Sequence, residues 1–319
     1  MRYLLTSAAA LALAACGGAD TQSSTDAAPA ADTPALIEEA VELAPADETA
    51  AEVAGVDWGA ILTSDRRGEN HADRDQYRHP QETMAFFGVE PGMTVAEAQP
   101  GGGWYTRLLL PLLGADGGLI GVNYAPDMVV LFGDEVSEEF VEETRQWPST
   151  WPATTEEWSK EGDAPIVGAY SFGAVDAAAA GSADVFLMIR ALHNVNRYEA
   201  NGGYRTTALK DAFDLLKPGG VLGVVQHAGP ETNDDAWATG QNGYLKQSQV
   251  VAAIEAAGFE FVEASDVNAN PKDQPTNEDY VWRLPPSLDG GSASEERAAA
   301  MKAIGESNRM TLKFVKPAS

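Results

Sequence analysis

One stretch constrains this chain more than any other. Val95-Ala96-Glu97-Ala98 leads through Gln99-Pro100 into three consecutive glycines, Gly101, Gly102 and Gly103. Trp104 to Leu113 then resumes an apolar, helix-like pattern, and Leu119-Ile120-Gly121-Val122-Asn123 reads as a second strand ending in a polar side chain. A strand that halts at glycines lets the backbone approach a ligand closely. The helix that follows aims its free N–H groups at the same spot. The pattern predicts one βαβ unit with a ligand-facing turn, although a glycine turn alone reads equally well as a bare connection.

The rest of the chain decides between these readings. Asp65 to Phe87 is predicted to be helical or mixed, and Val89 to Met93 a turn feeding the first strand. Residues 124–162 read as helical and Trp-rich, with Trp147-Pro148-Ser149-Thr150-Trp151-Pro152 expected to be a break. Pro165 to Ser171 reads as a short strand and Asp184 to Arg190 as a buried one. Thr206 to Leu216 is amphipathic and stops at Lys217-Pro218-Gly219-Gly220. Val221 to Val225 lacks alternation, as a strand buried on both faces does. Gln247 to Ala257 is predicted to be a helix closed by Gly258, followed by antiparallel edge strands at Phe259 to Val267 and Met310 to Lys316. The expected class is α/β: a doubly wound, Rossmann-like, mostly parallel sheet with a C-terminal antiparallel hairpin. Ligands of such sheets lie beyond the strands' carboxyl ends. That singles out Glu97 to Gly103, Asn123, Arg190 to Asn194, and Gln226-His227.

The N-terminus predicts export. Met1-Arg2 precedes an apolar run from Leu4 to Ala15, shorter than the ~20 residues a spanning helix needs. Leu13-Ala14-Ala15-Cys16-Gly17 resembles a bacterial lipoprotein box. That resemblance implies lipidation of Cys16, a membrane anchor and, with Gly17 in place of Asp, transfer to the outer membrane facing the periplasm. Cys16 is the sole cysteine, so no disulfide forms within the chain. Gly17 to Asp57 holds ten acidic residues and neither Lys, Arg nor aromatic residues, a composition that predicts a disordered tether. The expected organisation is thus 1–16 signal and lipobox, 17–57 tether, and 58–319 folded domain. The whole chain carries −27, and −17 lies outside the tether. Nucleic acid and anionic lipid surfaces are therefore poor partners, and the charge reads either as solubility in a salty medium or as a preference for cationic or neutral ligands.

Five ordered stretches carry a family resemblance: Pro91-Gly92-Met93-Thr94-Val95, Pro100 to Thr106, Leu216 to Val225 with His227, Asn268-Ala269-Asn270-Pro271, and Gly305 to Met310. From about Asp65 onward the chain resembles class I S-adenosylmethionine-dependent methyltransferases, more narrowly a bacterial group of predicted methyltransferases. The resemblance implies S-adenosylmethionine as cofactor and a small-molecule acceptor. It places Glu97 as the acid ending the first strand, with Gly101 and Gly103 as two of three alternate glycines and Gly102 between them. Gln99 stands where the first glycine usually sits. Asn123 stands where an acid usually holds the ribose, and an amide is a weaker clamp. Tyr105, Trp104 and Tyr124 flank the turn and could stack on adenine or cover the sulfonium; Trp104 reads equally well as packing between helix and sheet. On this fold the ends of the fourth and fifth strands face the transferred methyl, so His193 or His227 would be the general base and Asn194 would orient the acceptor.

Other patterns weigh less. His71, Asp73, Asp75 and His79 imitate a metal site, but the interleaved Arg66, Arg67, Arg74 and Arg78 predict a solvated, salt-bridged face, on a segment where relatives of this fold place a lid. Ala169 to Gly173 imitates a nucleophile elbow around Ser171. Asn268, Asn270 and Arg309 are expected to brace one another. Three functions follow: an exported methyltransferase, the same fold with another ligand or reaction, or a non-catalytic lipoprotein binding a protein partner through its acidic surface.

Overall fold

The computed structural model describes residues 55–133, 136–288 and 294–318, all within one compact unit of the chain. Cys16, the signal segment and nearly all of the tether lie outside the described residues. Among the described residues no helix is long and apolar enough to cross a membrane.

Seven strands form one sheet: β1 (Thr94–Ala98), β2 (Gly118–Asn123), β3 (Ile166–Ser171), β4 (Ala183–Ile189), β5 (Leu216–His227), β6 (Glu260–Ser265) and β7 (Arg309–Val315). Their order is β3-β2-β1-β4-β5-β7-β6. Strands β1 to β5 pair in parallel, and β7 is antiparallel to both β5 and β6. The helices of eight or more residues are α1 (Pro80–Phe87), α2 (Thr106–Leu113), α3 (Glu138–Glu156), α4 (Tyr204–Leu215), α5 (Gln247–Ala256) and α6 (Glu295–Ile304).

The inner strands are apolar on both faces, which is why they read as unbroken runs. Val95, Val185, Leu187 and Val225 join one core with α2, whereas Ala96, Phe186, Met188 and Val224 join the other with α4 and α5. The chain runs outward from β1 through β2 to β3, then crosses to β4 on the other side of β1. The carboxyl ends of β1 and β4 therefore form the topological switch point, the usual crevice for ligands.

Three expectations need correction. The predicted C-terminal edge strands are not both at an edge. Strand β7 lies inside the sheet, its Met310, Thr311, Leu312 and Phe314 all buried, and only β6 is peripheral. The strand's apolar content requires neighbours on both sides. The turn at 217–220 does not separate helix from strand either. Strand β5 begins at Leu216 and absorbs the glycines as an irregularity in its pairing with β4, with Gly219 at φ 79°. Finally, α3 runs straight through Pro148 and Pro152. Each proline removes a helical hydrogen bond. Trp147 and Trp151, one turn apart, compensate by stacking at 5.0 Å and packing onto Gly121 of β2, where a Cβ would meet their rings at 2.6–2.7 Å. Burial of two indoles outweighs helix propensity here.

Trp151→Ala is therefore expected to lower the unfolding free energy by about 3–5 kcal/mol, read from urea denaturation. A loss below about 1 kcal/mol would show that the indole does not hold α3 to the sheet.

Candidate functional site

A cavity of about 490 Å³ opens at the switch point. Its floor comes from the ends of β1 and β4, its wall from the glycine turn with Trp104 and Tyr105 just before α2, and its opposite side from residues 69–78. Both strands end alike. Gln99 (φ 53°) and Arg190 (φ 57°) each donate one more ladder hydrogen bond, to Val122 O and Val225 O at 2.7 Å, and then turn left-handed. That conformation costs a residue with a Cβ roughly 1–2 kcal/mol. Position 99 needs positive φ, a conformation that glycine adopts at no steric cost. Gln99 also buries its Oε1 without a partner.

Of the residues proposed for the cofactor, Glu97, Gln99, Gly101, Gly102 and Tyr105 line this cavity. A Cβ built on Gly102 would meet nothing within 4 Å, and one on Gly101 only Gln99 O at 3.9 Å. Gly103 differs, because the Trp158 ring fills the place its Cβ would take. Asn123 and Tyr124 lie outside the lining. Asn123 Oδ1 accepts from Tyr124 N at 2.8 Å, and the buried Tyr124 hydroxyl donates to Ala191 O at 3.1 Å while accepting from Asn194 Nδ2 at 3.0 Å. The structure thus brings Asn194 to Tyr124 rather than to the cavity.

Glu97 is buried and accepts a hydrogen bond from Thr106 Oγ1 at 2.7 Å. Loss of water pushes its carboxyl up to about 7, with the Thr106 hydrogen bonds opposing. His193 and His227 do come together, ring centroids 5.4 Å apart. Both are buried and neither lines the cavity. His193 Nδ1 faces Gln226 Oε1 at 3.2 Å, and His227 Nδ1 faces Ser307 Oγ at 2.5 Å. Burial drives the His193 imidazole down to about 4, and burial with nearby cations drives His227 well below its ordinary value. Both are neutral at physiological pH.

The arginines of residues 66–78 are not on a solvated face. Arg67 pairs with Asp75 at 2.6 Å and Arg66 with Asp163. Arg74 and Arg78 line the cavity, and Glu306, itself outside the lining, meets Arg74 Nε at 2.5 Å and Arg78 Nε at 3.8 Å. Arg309, at the start of β7, bonds the same carboxylate at 2.5 Å. Because β7 is reversed, its first residue falls on the carboxyl rim beside His227. Trp104 lies beneath Arg67 and Arg78, whose guanidinium carbons are 5.1 and 4.4 Å from its ring, and it donates from Nε1 to His71 O at 3.2 Å. Its ring is thereby engaged by protein cations. Sequence reasoning placed none of Arg74, Arg78, Arg309 or Glu306 in the site. The available signals were the i, i+4 spacing of the two arginines on the lid segment and the Gly305 to Met310 motif.

The remaining patterns resolve simply. No group of three or more metal-ligating side chains occurs among the described residues. Asp184 sits at the far end of β4, accepting from Thr94 N and Lys217 Nζ at 2.8 and 2.6 Å, remote from Ser171 at the carboxyl end of β3. Asn268 and Asn270 brace the fold through Thr83, Thr311, Ile304 O and Glu306 O.

No protein-family model and no curated protein matches the chain. Similar solved structures include a SAM-dependent methyltransferase from Aquifex aeolicus, at 12% identity over 76% of this chain and 92% of that one, TM-score 0.43. They also include the [4+2]-cyclase SpnF, at 17% identity over 76% and 81%, TM-score 0.44. A third is an arsenic(III) S-adenosylmethionine methyltransferase from Chlamydomonas reinhardtii, at 12% identity over 71% and 64%, TM-score 0.38.

Two outcomes are expected. A carboxyl with a raised pKa stabilises the native state while it keeps its proton and loses that contribution as pH rises through about 7. Glu97→Gln should therefore gain on the wild type by about 2–3 kcal/mol between pH 5 and pH 8, measured by denaturation at both values. Gln99→Gly should raise stability by about 1 kcal/mol, by relieving the left-handed backbone and removing an unpaired oxygen. A lower urea midpoint would sink the strain reading.

Proposed function

We propose that this chain is a methyltransferase of the class I type, using S-adenosylmethionine to methylate a small-molecule acceptor. The observation that carries the reading is the open glycine pair: Gly101 and Gly102 front a cavity of about 490 Å³ at the sheet's switch point, with space where side chains would stand. That volume is ordinary for a small-molecule site. Glu97, Gln99, Gly101, Gly102 and Tyr105 are the residues that would hold the cofactor, which supplies a methyl group already activated on a sulfonium. The protein's own task is then alignment and proton removal. Glu97, at about 7, is the cavity carboxylate suited to accept a proton near neutral pH, whereas the two imidazoles lie behind the lining.

A second reading keeps the fold and cleft for another ligand. Trp158 filling the place beside Gly103 and the enclosure of Tyr124 favour it. A protein partner at the acidic exterior is a third role, compatible with either. The leader sequence supports placement as an outer-membrane lipoprotein anchored through Cys16 and facing the periplasm.

Calorimetry of the full chain with S-adenosylmethionine and S-adenosylhomocysteine separates the readings. Methyl transfer predicts micromolar binding that Gly101→Val and Gly102→Val each weaken by more than about tenfold. The second variant sits at an unstrained glycine and so isolates the loss of space. Absence of heat at millimolar ligand would remove the methyltransferase reading.

A further inference from the structure

We propose that the cavity is a binding site for a small soluble polyanion carrying phosphate or carboxylate groups, with Arg190 as its principal contact. The proposal does not depend on methyl transfer. Three guanidinium groups, those of Arg74, Arg78 and Arg309, share one carboxylate, Glu306, and the fourth, Arg190, lies within their electrostatic reach without pairing to it. Arg190 lines the cavity, and its guanidinium has neither a hydrogen bond nor an ion pair among the described residues. Arg78, which also lines it, is 4% exposed, and its Nε lies beyond hydrogen-bond distance of any acceptor. Arg74 Nη2 and Arg309 Nε are likewise buried and unpaired. Unpaired buried donors on charged groups cost free energy that an incoming anion would recover. The cavity's other titratable groups do not supply that anion. Glu97 is poised to be half-protonated at neutral pH and is bonded to Thr106, His71 is neutral at about 4, and Glu69 stands exposed at the mouth.

Arg190 is held left-handed at the end of β4. Strain of this kind persists where the surroundings fix a side chain in a working position. The planar fork of a guanidinium matches two oxygens of a phosphate or carboxylate. The chain's net charge of −27 opposes approach of an anionic membrane. A small anion passes more readily, because the exterior field is screened within roughly 8–10 Å at physiological salt. The volume also fits a small molecule rather than a surface.

The test is calorimetry of the full chain with pyrophosphate and with citrate, beside vesicles containing anionic phospholipid. Binding of either small anion is expected, weakened at least about tenfold in Arg190→Gln and in Arg190→Asn, with Arg190→Lys intermediate. Asparagine tolerates positive φ, so it guards against misfolding of the glutamine variant, and both variants are checked by unfolding midpoint. Equal affinity in the wild type and in a folded Arg190 variant would overturn the proposal. So would absence of binding to both small anions at about 10 mM, or capture by vesicles alone. S-adenosylmethionine titrated in parallel keeps the two readings apart: anion binding without cofactor binding retires methyl transfer only, and the reverse retires the anion site only.

Discussion

The architecture of the rim depends on a single buried carboxylate. Glu306 is 4% exposed and holds Arg74, Arg78 and Arg309 at once. It joins the segment before β1 to the start of β7, and through Arg78 over Trp104 it reaches the first residues after the glycine turn. Charges taken out of water are costly unless paired and hydrogen-bonded. Three cations on one anion is an incompletely compensated arrangement, and burial lowers the proton affinity of all of Arg78, Arg190 and Arg309. The sheet determines where the strand ends fall; this ion cluster determines what chemistry they present.

Two electrostatic scales coexist. The exterior is strongly acidic, so composition alone points toward cationic or neutral ligands. The cavity is the opposite: its described lining places Arg74, Arg78 and Arg190 around the glycine turn. Net charge sums over a surface and governs solubility and encounter. It says little about a recess whose few charges face inward, away from solvent.

Much of the fold was legible because continuous apolar runs can only be strands covered on both faces, as β1, β4 and β5 are. The glycine turn was legible because its conformation demands that residue type. The arginines were not. Read along the chain, Arg74 and Arg78 alternate with acids as an exposed helix face does, and their true counterion lies 232 residues from Arg74. Pro148 and Pro152 misled for a related reason: local propensity is visible in sequence, whereas the packing of Trp147 and Trp151 onto Gly121 is not. His193 and His227 could be placed on neighbouring strand ends from sequence, but their enclosure depends on Trp282 and Tyr244, contributed by the later part of the chain.

The reversal of β7 has a consequence for assembly. Glu306, Ser307 and Arg309 reach the rim only when the last strand slots between β5 and β6. Bringing so distant a segment back requires closing a loop that spans most of the domain, at an entropic cost that rises only slowly with loop length. The glycine turn and the charges that surround it therefore come from opposite ends of the domain's sequence, and the cluster is complete only once the last strand has docked.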